Sequence, residues 1–135
     1  MRGERFFDTN ILIYAEARGD PRTPVAETLL IEGGVVSVQV LNEFAVVARR
    51  KLGMSCKEVT EALHDVRVLC PDPVALTIAT HEVALRIAAS HDYRIYDVLI
   101  IAGALLSGCE ILCTEDMQDG HVIDRRLTIR NPFAA

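Results

Sequence analysis

Short apolar runs alternate along this chain with amphipathic stretches of helical length, and that alternation leaves few architectures open. Arg5-Phe6-Phe7, Val35 to Val38, Val66 to Leu69, Glu110 to Cys113 and Leu127 to Ile129 read as strands, being brief and rich in β-branched or aromatic residues. Between them the spacing predicts helices over 11–17, from Pro24 through Leu30, over 40–51, from the Ser55-Cys56-Lys57-Glu58 capping box to Asp65, over 77–91 and over 96–107. Thr9 or Asn10 caps the first of these, and Gly33-Gly34 and Gly53 stop the second and third. Strands separated by helices need crossover connections, which build a parallel sheet with helices on both faces. The expected fold class is therefore α/β, with a central parallel sheet of about four to five short strands. With no repeat or linker to divide it, the chain reads as one domain over residues 1–135.

Composition removes several function classes. At 135 residues a core can form without disulfides or metal staples. The mean hydropathy of +0.24 invites a search for a membrane span. The longest apolar run, Val98 to Leu106, is only about half of the ~20 residues needed. Met1 to Phe7 is charged, and no apolar signal region follows, so a soluble, cytoplasmic protein is expected. Cys56, Cys70, Cys109 and Cys113 form no CxxC pair and read as reduced thiols. His81-Glu82 opens like a zinc-protease motif, but Leu85 stands where its second histidine belongs. A net charge of −5 argues against a broad basic face that coats nucleic acid, but not against an acidic site whose bound cations reverse the local field.

Four of the nineteen acids do not fit a solvated surface. Asp8 directly follows the first strand, and Asp116 lies just past Ile111 to Cys113, both at carboxyl ends, where open parallel sheets bind ligands. Glu43 falls between Val40 and Val47 on the inward stripe of its helix, and Asp97 begins the stripe Ile100, Ile101, Ala104. Taken singly, each has a bland reading: an N-cap for Asp8, a dipole partner for Asp97, a turn residue for Asp116. Together they would bury several charges with no lysine beyond Lys57 and no arginine adjoining Asp8, Asp97 or Asp116. A hard divalent cation, Mg²⁺ or Mn²⁺, held by oxygen ligands resolves that cost.

The stretches Phe6-Phe7-Asp8-Thr9-Asn10-Ile11-Leu12-Ile13-Tyr14, Ser37-Val38-Gln39-Val40-Leu41-Asn42-Glu43-Phe44, Tyr96-Asp97-Val98-Leu99-Ile100-Ile101-Ala102-Gly103-Ala104 and Thr114-Glu115-Asp116-Met117-Gln118 resemble, in order and spacing, the successive motifs of a PIN domain. The likeness spans essentially the whole chain, and the small single-domain form is similar to the VapC-type toxins of bacterial toxin–antitoxin pairs. The resemblance implies a PIN-like fold and metal-dependent hydrolysis of RNA phosphodiesters by activated water, leaving 5′-phosphate and 3′-hydroxyl ends. It assigns Asp8, Glu43, Asp97 and Asp116 as catalytic metal ligands for Mg²⁺ or Mn²⁺, with Thr9, Asn10 and Thr114 orienting them. It further implies an RNA substrate, a cognate antitoxin and a homodimer.

Asp119 is open between a further acid of the site and a turn formed with Gly120. Arg50, in the run Arg49-Arg50-Lys51, is open between RNA contact and a solvated helix end. Arg125, Arg126 and Arg130 are further candidates for substrate contact. A receiver domain would need a lysine late in the chain, and a haloacid dehalogenase-type phosphatase would need a second acid where Asn10 stands. A catalytically silent PIN-like module that binds protein or RNA is the remaining alternative.

Overall fold

In the computed structural model, which describes residues 5–134, the chain order is β1 (Arg5–Phe7), α1 (Thr9–Glu16), α2 (Thr23–Glu32), α3 (Val38–Lys51), α4 (Cys56–Leu69), α5 (Ile78–Ser90), α6 (Ile95–Leu106), β2 (Ile111–Cys113), β3 (Val122–Ile123) and β4 (Leu127–Arg130). The sheet runs β1-β2-β4-β3. β1 pairs parallel with β2, and β2 with β4, while β3 is antiparallel at the edge. Successive strand residues point to opposite faces. Phe6 and Phe7 are both fully buried, as are Leu112 and Cys113 at 0% and 3% exposure, so both faces of the parallel strands are covered.

The helices follow local chemistry. Ser55 and Glu58 satisfy each other's backbone donors in the expected capping box. Ser37 caps α3 by accepting from the Val40 amide at 3.2 Å. α6 is buried from Val98 and Ile100 through Leu105, consistent with an apolar helix enclosed on most sides. No helix among the described residues is long and apolar enough to cross a membrane.

Three expected elements change. Val66 to Leu69 is the last turn of α4, because Val66 continues its buried stripe of Val59 and Ala62. The run Val35 to Val38 yields only single parallel bridges, Phe6 with Val35 and Ser37 with Val74, since Ser37 opens α3 before a ladder can extend. α1 starts at Thr9 and is capped by Asp8, not by Thr9 or Asn10. β3 gave no apolar run long enough to read, and it exists because a tight turn returns it to β4.

Close approach fixes the layers. A Cβ on Gly103 of α6 would lie 3.3 Å from the Phe6 ring, so the helix rests almost directly on β1. At Gly34 a Cβ would lie 2.5 Å from the Phe7 ring and 2.9 Å from the Arg5 carbonyl oxygen. Gly34→Ala is therefore expected to destabilise the fold by about 1–3 kcal/mol through overpacking. Urea unfolding should show a lower midpoint at unchanged slope; a midpoint equal to the parent's would show that this contact yields freely.

Candidate functional site

The parallel ladder runs straight into the site. The Asp8 amide donates to the Cys113 carbonyl at 3.0 Å, and the Thr114 amide to the Arg130 carbonyl at 2.9 Å. This register sets Asp8 and Thr114 side by side at the carboxyl end of the sheet. One Asp8 oxygen accepts from the Thr9 amide at 2.6 Å, and the other from the Thr114 hydroxyl at 2.6 Å. The Asn10 amide nitrogen lies 3.1 Å from Thr114 Oγ1, 3.1 Å from Asp116 Oδ2 and 3.4 Å from Asp8 Oδ2. The Asp116 amide completes the cluster by donating to Thr114 Oγ1 at 3.1 Å. Thus Asn10 and Thr114 join two carboxylates more than a hundred residues apart in the chain.

Asp8 is both the α1 cap and a buried charge, so the bland reading and the functional one coexist. Burial pushes its pKa up to about 7 despite the hydrogen bonds from Thr114 and Thr9, and the charges of Asp116 and Glu43 raise it further. Glu43, half-buried on α3, is also raised, first by burial and then by Asp97. These couplings run from Asp116 through Asp8 and Glu43 to Asp97. Gln39, one turn before Glu43, donates to Glu43 Oε2 at 2.8 Å and holds that carboxylate. Arg94 Nε lies 3.6 Å from Asp97 Oδ2. It is the one described arginine paired with any of the four acids, and its side chain is 86% exposed.

Sequence reading missed Gln39 and Arg94, although helical spacing carried a signal for both: residues three or four apart share a face. It also missed a brace beside Asp116. The Tyr14 hydroxyl donates to Glu115 and accepts from Arg22 at 2.8 Å, while Arg22 also grips Asp20 at 2.8 Å. Burial and Glu115 push the Tyr14 hydroxyl up to about 12, so it stays a proton donor. No local pattern could have announced this contact between α1 and the loop after β2.

The other candidates separate. The Asp119 carboxylate accepts from the Asn131 amide at 2.9 Å, tying down the chain after β4, and Gly120 takes a positive φ of 84° as a turn requires. Arg125 and Arg126 lie in the β3–β4 turn, at the amino end of β4 and away from the acids. The Arg130 backbone pairs with Cys113 at the carboxyl end of the sheet, while its side chain lines a pocket shared with Arg125 and Arg126. Arg50 shares a groove with Glu43.

The donor set suits a hard cation: carboxylates, an amide and hydroxyls, all oxygen ligands. Two buried oxygens here, Thr9 Oγ1 and Asn10 Oδ1, have no hydrogen-bond partner. Among the described residues, no three acids, histidines or cysteines stand together as a finished ligand set. Asn10 bridges Asp8 and Asp116, whereas Glu43 and Asp97 are linked to them only through charge. The residues fit Mg²⁺ or Mn²⁺ in chemistry and charge, with Asp8 and Asp116 nearest to a shared position.

Residues 5–118 match the model of the PIN domain family. No curated protein matches the chain. The fold is similar to the Mycobacterium tuberculosis toxin VapC20, described as cleaving the sarcin–ricin loop, at 21% identity with TM-score 0.68, covering 81% of this chain and 87% of that one. It is similar to a toxin–antitoxin complex from Klebsiella pneumoniae at 19% identity and TM-score 0.72, covering 98% and 100%. VapBC2 from Rickettsia felis, bound to a promoter DNA fragment, aligns at 15% identity and TM-score 0.68 over 94% and 97%.

Between the unfolded carboxyl value of 3.8 and the folded value of about 7, the native state keeps a proton on Asp8 that the unfolded chain has released. This group's contribution to stability therefore falls as pH rises through that window. Asp8→Asn removes the charge at similar size. In chelator at pH 8 it is expected to be roughly 2–4 kcal/mol more stable than the parent, a tenfold change in proton affinity being worth about 1.4 kcal/mol. The gain should shrink toward pH 4. Melting curves at the two pH values check this, and a variant no more stable at pH 8 would refute the strain assigned to Asp8.

Proposed function

The chain belongs to the PIN domain family, and from that premise we propose that it is a metal-dependent endoribonuclease, the toxin of a toxin–antitoxin pair. The observation that carries this reading is the acidic end of the sheet. There Asp8 is buried beside Asp116 through Asn10 and Thr114, and it feels the charge of Glu43, which in turn feels Asp97. The likeness to a toxin that cleaves the sarcin–ricin loop supports RNA as substrate. The likeness to antitoxin-bound complexes supports a cognate antitoxin as partner.

Asp8, Glu43, Asp97 and Asp116 would hold Mg²⁺ or Mn²⁺, which when bound lowers the pKa of a coordinated water and offsets charge on the phosphate oxygens. The chain's own residues position the ligands. Thr114 and the Thr9 amide direct both oxygens of Asp8, Asn10 spaces Asp8 from Asp116, and Gln39 turns Glu43. Tyr14 and Arg22 fix Glu115, and with it the backbone that carries Asp116. Attack by water on phosphorus with cleavage of the P–O3′ bond would leave 5′-phosphate and 3′-hydroxyl ends, the departing 3′-oxygen taking up a proton.

Asp97→Asn keeps the side chain's size in the first turn of α6 but removes a full charge. RNA cleavage is expected to fall by at least the roughly 10- to 100-fold lost when only the support of a metal ligand is removed. Metal-free stability should change by no more than about 1 kcal/mol for the lost dipole contact. Thermal melting with Mg²⁺ or Mn²⁺ should stabilise the parent and leave the variant unmoved. A parent that gains nothing from either metal, or a variant that cleaves at the parental rate, would overturn the metal role.

The reading includes a homodimer. Ile31, Val68 and Ile78 are 71%, 65% and 75% exposed, apolar surface that a second copy would cover. Light scattering at micromolar concentration should return twice the chain mass, and a strict monomer would remove the dimer from the proposal.

A further inference from the structure

A groove of about 460 Å³ opens between α3 and the start of α6, with Glu43 in its wall. Its walls include Gln39, Asn42, Val46 and Arg50 from α3, and Tyr96 from α6. On α3, Glu43, Val46 and Arg50 follow one another at helical spacing, so they lie along one face. Arg50 stands about 10 Å beyond Glu43 along the helix axis, two turns at 1.5 Å per residue. The groove therefore runs from an acid of the candidate metal site to a guanidinium, across a partly apolar floor.

Two side chains of its wall are open to solvent: Tyr96 is 61% exposed and Val46 is 50% exposed. Tyr96 directly precedes Asp97, so its ring is set by the same helical turn that sets the acid. Among the described residues no aromatic ring stacks on it and no carboxylate pairs with Arg50, in a chain whose net charge is −5. An exposed ring, a guanidinium without a carboxylate partner and the exposed amide of Asn42 answer the three parts of a nucleotide: base face, phosphate and base edge.

We infer that this groove is a subsite for an unpaired RNA nucleotide next to the scissile phosphate, with its base stacked on Tyr96 and its phosphate on Arg50. This rests on the ribonuclease reading above and adds to it a requirement for an unstacked base. Bases of an A-form duplex are not available to an aromatic side chain, whereas loops and single strands can splay a base onto one. Arg offers the bidentate geometry a phosphate takes, which a lysine would lack. A protein partner would be expected to answer Arg50 with a carboxylate and to bury Val46 and Tyr96 without regard to RNA.

The test uses the full chain with short single-stranded oligoribonucleotides carrying 2-aminopurine, and a blunt RNA duplex of equal length. Tyr96→Ala is expected to weaken single-strand binding about 5- to 100-fold, the range for losing one base–ring stack. Tyr96→Phe, which keeps the ring, should restore it to within about twofold. Arg50→Gln should weaken binding and lower the slope of log affinity against log salt by about one. Duplex binding and the thermal shift produced by Mn²⁺ should be the same in all variants. If the parent cleaves RNA and Tyr96→Ala binds and cleaves equally well, the subsite is wrong and the ribonuclease reading survives. If binding depends on the ring but no RNA is cleaved, the subsite stands and the ribonuclease reading fails. If Tyr96→Ala leaves RNA binding intact and halves the mass seen by light scattering, the groove belongs to a second copy and the inference is overturned.

Discussion

A carboxylate buried at the end of an apolar sheet sets the terms for much of this molecule. Asp8 follows two phenylalanines that are fully enclosed, so it cannot reach bulk water without pulling β1 out of the core. Two hydrogen bonds of 2.6 Å hold its oxygens, yet burial still outweighs them and keeps its proton affinity high. Hydrogen bonds alone do not make this position comfortable for an anion. The surroundings then add Asp116 and Glu43, whose charges make it worse. A fold that gathers such groups stores unfavourable electrostatic energy, and a bound cation is the simplest agent that reverses its sign.

The scaffold is stiff where that stored energy must be held. Parallel pairing of β1, β2 and β4 locks Asp8 against Thr114 through backbone bonds, independent of any side chain. α6 brings Asp97 to the same end because its small residues, Gly103 above all, let it settle on the Phe6 ring. α3 delivers Glu43 from a helix whose start is fixed by Ser37 and whose carboxylate is held by Gln39. Asp116, the most exposed of the four, sits on a loop, and Asp97 sits at a helix start. Those are the places where a side chain can adjust to an ion without disturbing the core.

Several arginines of this acidic chain are committed to internal pairs. Arg22 is spent on Asp20 and Glu115, and Arg86 on Asp124 through two nitrogens at 3.1 and 2.7 Å. Arg50, which lines the groove that holds Glu43, is among the described arginines without a carboxylate partner. Net charge thus does not place a candidate RNA contact, because four of the eleven described arginines are paired with acids and seven are not.

What the sequence alone determined follows from local periodicity. The fold class, the helices α3, α5 and α6, and the oddness of Glu43 and Asp97 on apolar stripes are all properties of residues a few positions apart. The one-turn pairs Gln39–Glu43 and Arg94–Asp97 were legible by the same rule, had it been applied to polar residues. Tertiary structure alone decided which short apolar runs became strands. Val66 to Leu69 was absorbed by α4, and Val122-Ile123 became β3 only because β4 offered it an edge. It alone joined Asn10 to Asp116 and Tyr14 to Glu115, and it alone raised Asp8 to about 7. A strand needs a partner, a long-range hydrogen bond needs a register, and a desolvated charge needs a core around it. None of these exists until the distant parts of the chain have met.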